Sequence, residues 1–442
     1  MASLAASATD SNRDSLTGLS SLDHARHTID KWRMDWPQGT TSFPLHAMLI
    51  AIGRIDRVNV AYGETAGDGA LVEIAQRLRH FAADELESSI WIAARSSGDS
   101  FLLAVREECS RERWQWLAEA LADAIAMPIF DPASGHAVRL WPRIALMRAT
   151  EGDTAATVLD TLSEAAVRAR GDKGRRVVWA NGQLAKEGRT NHQLEGDLLG
   201  ALDRDEIEVF FQPQYRVEDD SLIGAEALAR WHHPTLGRIG AGTLFSIAER
   251  ADHTAQLSRH IVRKALLAAN EWPGGLRLSL NITPADLAAG SFADEFLKLL
   301  SSTNILPECL TLEITEDVLL AELDQVSGVL EQLRDAGISL SLDDFGAGFC
   351  NFRYLKILPI DHLKLDRSMI VDVLADERDL AVFRAIMAMA KALDLKVVAE
   401  GVETEAQRQL VAREGCEVYQ GFLRAEPMTG SAFLALAMES AA

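Results

Sequence analysis

Short apolar runs that end on a polar side chain recur through the second half of the chain. Leu222–Ala225 leads into Glu226, Leu276–Leu280 into Asn281, Leu310–Leu312 into Glu313, and Ile338–Leu342 into Asp343 and Asp344. Ile360–Leu363, interrupted by Asp361 and His362, leads into Lys364; Val397–Ala399 leads into Glu400, and Val418 and Tyr419 into Gln420. Stretches with helical spacing fill most of the intervals. Buried parallel strands separated by helices write this rhythm, which predicts an α/β fold, a (β/α)8 barrel with its site at the carboxyl ends of the strands.

The first half has a different pattern. An apolar strand-like run spans Leu45–Ile55, and Thr65–Phe81 carries Leu71, Ile74, Ala75, Leu78 and Phe81 on one helical face. Ile90–Ala94 and Phe101–Val105 flank a polar break with Ser97-Gly98-Asp99 at its turn, a predicted hairpin. Trp114–Ala126 is predicted helical, Ala137–Ala149 a strand or strand pair, Thr154–Arg170 a helix and Arg175–Trp179 a closing strand. This is an α+β domain over residues 14–180, behind a small, polar, disordered segment at 1–13. Residues 181–191 lack apolar periodicity and read as a linker. The barrel then covers 192–437, roughly 245 residues against the ~250 typical of the fold.

Composition narrows the function. With 48% hydrophobic and 25% charged residues the chain is ordinary globular material, and 442 residues suit two domains. A net charge of -21 argues against binding a DNA or RNA polymer. The four cysteines, Cys109, Cys309, Cys350 and Cys416, form no CxxC pair, so neither a zinc site nor a disulfide framework is expected. No signal peptide and no membrane span is read, so a cytoplasmic location is expected.

In order along the barrel stand Glu226-Ala227-Leu228 with Arg230-Trp231, Leu280-Asn281, Leu312-Glu313-Ile314-Thr315-Glu316, Asp343-Asp344-Phe345-Gly346, Leu363-Lys364-Leu365-Asp366, Glu400-Gly401-Val402-Glu403 and Gln420-Gly421-Phe422. This set resembles the EAL family of cyclic di-GMP phosphodiesterases across the whole second domain. The chemistry agrees. Hydrolysing a phosphodiester near neutral pH suits two hard divalent ions, and carboxylate and amide oxygens are the ligands such ions take. The resemblance implies two Mg²⁺ or Mn²⁺ ions on Glu226, Asn281, Glu313, Asp343, Asp344 and Glu400, with Asp343 bridging. It gives Lys364 the attacking water, with Asp366 as its local partner. It gives Gln212, Leu228, Arg230 and Gln420 to the substrate side, Arg230 to a phosphate and Gln212 to a guanine edge. Glu403 is a further site carboxylate, and Glu316 anchors the loop after the Asp-Asp pair. That loop, Ala347-Gly348-Phe349-Cys350-Asn351, departs from the family's Thr-Gly-Tyr-Ser-Ser. A homodimer through the EAL domain is implied, with a signalling protein partner open.

In the first domain Asp14-Ser15-Leu16-Thr17-Gly18 and Tyr62–Asp68 resemble the GGDEF diguanylate cyclases, but the signature hairpin reads Ser97-Gly98-Asp99-Ser100-Phe101. Ala51-Ile52-Gly53 stands where the family's strand carries an Asp-x-Asp metal pair, and Ser88–Trp91 where it carries an Arg-x-x-Asp product site. A cyclase without metal carboxylates is expected to be inactive and to serve as a scaffold, for dimerisation, or, through Asn59 and Asp68, as a GTP-binding regulator. The expected function is hydrolysis of cyclic di-GMP to linear pGpG. The rivals are a non-catalytic cyclic di-GMP receptor and a bifunctional cyclase-phosphodiesterase.

Overall fold

The computed structural model describes residues 12–36, 44–53, 55–131, 136–150, 152–171, 176–180, 191–315, 323–346, 354–371, 373–374 and 377–440. Most of the expected N-terminal segment and linker, together with Glu316 and the loop Ala347–Asn351, lie outside these residues. The chain folds as two compact units, Met1–Leu194 with His232–Thr243, and Glu195–Trp231 with Leu244–Ala442.

The first unit is built on a six-stranded sheet in the order Ser20–Ser21, Trp91–Ser97, Ser100–Arg106, Leu45–Gly53, Trp141–Arg148, Val177–Trp179. The Leu45–Gly53 run is buried almost throughout because it is a central strand, paired antiparallel on both sides. Helices Leu22–Met34 and Ala155–Gly171 share one core with Ala47, Leu49, Ala94, Leu102 and Ala145. The expected hairpin forms with Gly98 at positive φ in its turn, and the Ala137–Ala149 stretch resolves into two strands, His136–Val138 and Trp141–Arg148.

His46 has no exposed surface and its ring lies 5.3 Å from Trp114. Burial, helped by the Arg148 charge, pushes its imidazole from 6.5 down to about 4. The folded state therefore resists protonation that the unfolded chain accepts. Stability is level above about pH 6.5 and is lost as pH falls from there toward 4, by about 3 kcal/mol in full. Urea titrations of the His46→Leu variant at pH 7 and pH 5 should show a smaller difference than the wild type; an equal difference would refute this assignment.

The second unit is a closed eight-stranded barrel: β1 (Ile207–Arg216), β2 (Leu222–His233), β3 (Arg277–Ile282), β4 (Leu310–Thr315), β5 (Ser339–Phe345), β6 (His362–Leu365), β7 (Lys396–Ala399) and β8 (Val418–Tyr419). From β2 to β8 the neighbours run parallel. β1 closes the ring antiparallel to both β2 and β8. The apolar rhythm counted seven runs because β1 breaks its own pattern with Gln212, Pro213 and Gln214. Pro213 lies within β1 and pairs with Ala225. Among the described residues no helix is long and apolar enough to cross a membrane.

Candidate active site

Strand alternation puts Glu226, Leu228 and Arg230 on one face of β2, and the register sets Gln212 of β1 directly opposite Glu226. Asn281 of β3 pairs with Glu313 of β4, and Thr315 with Asp343 of β5. The strands do not end at these side chains, as the apolar runs suggested. β2 continues to His233, β3 to Ile282 and β4 to Thr315; Glu400 and Gln420 alone stand just past their strands. A polar residue interrupts an apolar run but leaves backbone pairing untouched, so a site residue in mid-strand imitates a strand end.

Adjacent residues on a regular strand face opposite ways, and Asp343 and Asp344 escape that limit by an irregularity. The β5–β6 register shifts between Leu342 and Phe345, and Asp344 takes φ 56°, a left-handed conformation that Asp tolerates better than most residues. Both carboxylates can then serve one site.

Lys364 holds the centre. It is 1% exposed, and its Nζ lies 2.7 Å from Glu400, 2.8 Å from Glu313, 3.0 Å from Asp343 and 3.3 Å from Glu226. Burial alone would discharge it, but these four carboxylates hold its ammonium well above the usual 10.5. Burial acts on the acids as well. Glu313 and Glu400 are raised well above 4.5, and Asp343 is raised too, although Lys364 opposes the shift. Glu226 goes the other way: the Lys364 charge and hydrogen bonds from Gln420 and Asn281 outweigh its burial and hold it below 4.5. Asp344 is solvent-exposed, yet crowding by surrounding protein and the Asp343 charge bring it to about 7.

Amides tie the acids together. Asn281 Nδ2 donates to Glu226 Oε1 at 2.8 Å. Gln420 Nε2 donates to Glu226 Oε2 at 2.7 Å and to Glu400 Oε1 at 3.1 Å. Behind Gln420 stands Gln214, whose Nε2 donates to Gln420 Oε1 at 3.0 Å. Sequence reasoning missed Gln214; its only signal was period-two spacing from Gln212, on a strand the apolar pattern did not reveal.

Two expected contacts differ. Asp366 does not pair with Lys364, whose ammonium is taken by the four acids; its carboxylate instead accepts from Ser368 N at 2.9 Å and caps the turn Ser368–Val371. Glu403 is ion-paired with Arg367 and exposed. Arg230 is buried, with Nη1 donating to Ala229 O at 2.8 Å and its guanidinium 5.9 Å from the Phe210 ring.

The residues fit divalent cations. Two overlapping groups, Glu226–Glu313–Asp343 and Asp343–Asp344–Glu400, each bring carboxylate oxygens within 4.8 Å of one another and share Asp343. Oxygen-only donors with no thiolate or imidazole suit a hard ion. The first unit offers no such group at the matching place. Ala51 pairs directly with Ser100, whose hydroxyl donates to Asp99 Oδ1 at 3.2 Å, so neither strand position carries a carboxylate.

Residues 195–427 match the EAL domain family, and residues 11–176 match the family described as diguanylate cyclase, GGDEF domain. The bifunctional diguanylate cyclase/cyclic di-GMP phosphodiesterase MucR of Pseudomonas aeruginosa is 33% identical over 386 residues, covering 86% of this chain and 55% of MucR. The cyclic di-GMP phosphodiesterase NbdA of the same organism is 32% identical, covering 87% of this chain and 49% of NbdA. The chain thus spans about half the length of these curated relatives. The structure titled PaMucR phosphodiesterase, c-di-GMP complex, superposes on 55% of this chain and all of its own, with TM-score 0.52 and 35% identity. A Vibrio cholerae LapD structure titled S helix-GGDEF-EAL covers 93% of this chain at TM-score 0.53 and 18% identity, a likeness of fold alone. On these matches, and on the ordered acids of its barrel, the chain belongs to the EAL family, with a GGDEF domain ahead of the EAL domain.

Proposed function

We propose that this chain hydrolyses cyclic di-GMP to linear pGpG in the EAL domain, with two Mg²⁺ or Mn²⁺ ions held by Glu226, Asn281, Glu313, Asp343, Asp344 and Glu400. The observation that carries the reading is the pair of acidic groups sharing Asp343 around one buried lysine. Divalent ions in such a pair supply charge neutralisation at the phosphoryl oxygens and an activated water near neutral pH. Lys364, charged at any physiological pH, orients the attacking water and offsets charge as the phosphorane forms. Arg230 faces a phosphate and Gln212 a guanine edge, both on the face of the sheet that carries Glu226. One P–O bond to the 3′ oxygen breaks and the ring opens.

The GGDEF domain, lacking carboxylates at positions 51 and 100, serves regulation rather than cyclisation. GTP is its proposed ligand, read by Asn59 and Asp68; Asn59 packs so closely on Gly67 that a Cβ there would lie 1.8 Å from its Oδ1.

The test is incubation of the full chain with cyclic di-GMP and Mn²⁺, with products separated by chromatography. Linear dinucleotide should accumulate with the wild type and not with Glu226→Ala. Tight binding with no linear product would favour a receptor, and conversion of GTP to cyclic di-GMP would overturn the inactive-cyclase reading. Adding GTP should raise the hydrolysis rate; a rate indifferent to GTP counts against the regulatory ligand.

A further inference from the structure

Gln214 has no role in the scheme above, and the hydrogen-bond network supplies one. Gln420 is 4% exposed and faces two carboxylate oxygens, Glu226 Oε2 at 2.7 Å and Glu400 Oε1 at 3.1 Å. Glu226 already accepts from Asn281 Nδ2 and Lys364 Nζ, so it acts as an acceptor and the Gln420 amide meets it with its nitrogen. Its oxygen must then point away, into a region closed to solvent, where an unmet acceptor is costly. Among the described residues the donor that meets it is Gln214 Nε2, at 3.0 Å. Gln214 is itself 6% exposed and held on β1, and its Nε2 also lies 3.5 Å from Ser279 Oγ on β3.

We infer that Gln214 is a positioning residue: it fixes the Gln420 amide with its nitrogen toward Glu226 and Glu400, and so holds those two carboxylates in the arrangement that takes divalent cations. The inference deepens the proposed phosphodiesterase site and rests on its metal reading. Without the Gln214 donor, the oxygen of Gln420 loses the anchor that the described residues give it. The amide can then rotate and present that oxygen to Glu226 or Glu400, which repels them and loosens the ligand set. Partners that orient a ligand in this way are worth about 10- to 100-fold in metal affinity.

The experiment uses the full chain without substrate and measures free Mn²⁺ by electron paramagnetic resonance during titration. Gln214→Met keeps the length of the side chain and Gln214→Leu changes its shape; both remove the donor. Both should bind Mn²⁺ about 10- to 100-fold more weakly than the wild type. In assays, kcat at limiting Mn²⁺ should fall and recover at high Mn²⁺, with KM for cyclic di-GMP unchanged. A role in packing alone would lower the metal-free melting temperature and leave Mn²⁺ affinity unmoved. Wild-type Mn²⁺ affinity in both variants would overturn the inference, as would a wild type that binds no Mn²⁺. Failure of the phosphodiesterase reading looks different: the wild type would bind Mn²⁺, the variants would bind it less well, and none would hydrolyse cyclic di-GMP.

Discussion

Replacing Lys364 with methionine will lower the melting temperature of the metal-free EAL domain by on the order of 10 °C, and Mn²⁺ will restore most of that loss. The ammonium is 1% exposed and lies within 3.3 Å of four carboxylates on four different strands or strand ends. Removing the one cation from a buried ionic cluster leaves its partners uncompensated, at a cost of about 3–5 kcal/mol. Each kcal/mol moves the midpoint by about 2–4 °C for a domain of this size. A divalent ion that binds only the folded state returns stability by mass action. The remaining acids set the direction with pH. Glu313 and Glu400 are already held well above 4.5 by burial. Such groups stabilise the fold while protonated, so metal-free stability is lost as pH rises beyond their unfolded values near 4.5, more steeply in the variant. Hydrolysis should fall by on the order of 10²- to 10³-fold even with Mn²⁺ saturating, the loss expected when one preorganised charge-stabilising group is removed. Calorimetry with and without Mn²⁺ checks the first part. An unchanged metal-free midpoint would show that Lys364 does not hold the cluster.

How much of this was legible in the residues differs from one element to the next. Strands β3 to β6 were readable because apolar residues recur at every second position, as in Leu278 and Leu280, Leu310 and Leu312, Leu340 and Leu342, and Leu363 and Leu365, and β7 because Val397–Ala399 is apolar throughout. β1 was not readable, since Gln212 and Gln214 on the site face, with Pro213 between them, erase the run. Its reversed direction leaves no local trace at all. The acids that converge were found one at a time. That they surround Lys364 could not be read, because the contacts join positions 138, 51, 36 and 21 residues apart. Asp366 shows the converse: the resemblance made it Lys364's partner, but β6 ends at Leu365 and the chain turns, so the carboxylate caps Ser368 instead. The left-handed turn at Asp344 was half-legible. Two adjacent acids before Phe345-Gly346 required an irregular backbone if both were to reach one site, and the register shift supplies it.

Asp343→Asn should abolish turnover, by about 10³-fold or more in kcat, while making the metal-free protein more stable. Asp343 belongs to both acidic groups, so its loss touches both cation positions, whereas Glu313→Gln and Asp344→Asn touch one each. A neutral amide cannot bridge two cations as a carboxylate does, and several kcal/mol of charge stabilisation go with it; about 4 kcal/mol corresponds to 10³-fold. Stability moves the opposite way because the acids outnumber the one lysine. Burial and the Glu226 charge already raise the Asp343 carboxyl, so its charged form is held against its environment. Neutralising it relieves repulsion worth about 1 kcal/mol and should raise the metal-free midpoint by roughly 2–4 °C. Mn²⁺ stoichiometry separates the shared ligand from the others: two ions for the wild type, one for Glu313→Gln and for Asp344→Asn, and at most one, weakly held, for Asp343→Asn. An Asp343→Asn protein that still binds two Mn²⁺ ions with wild-type affinity, or that turns over cyclic di-GMP at the wild-type rate, would remove Asp343 from the bridging position and with it the two-cation reading of the barrel.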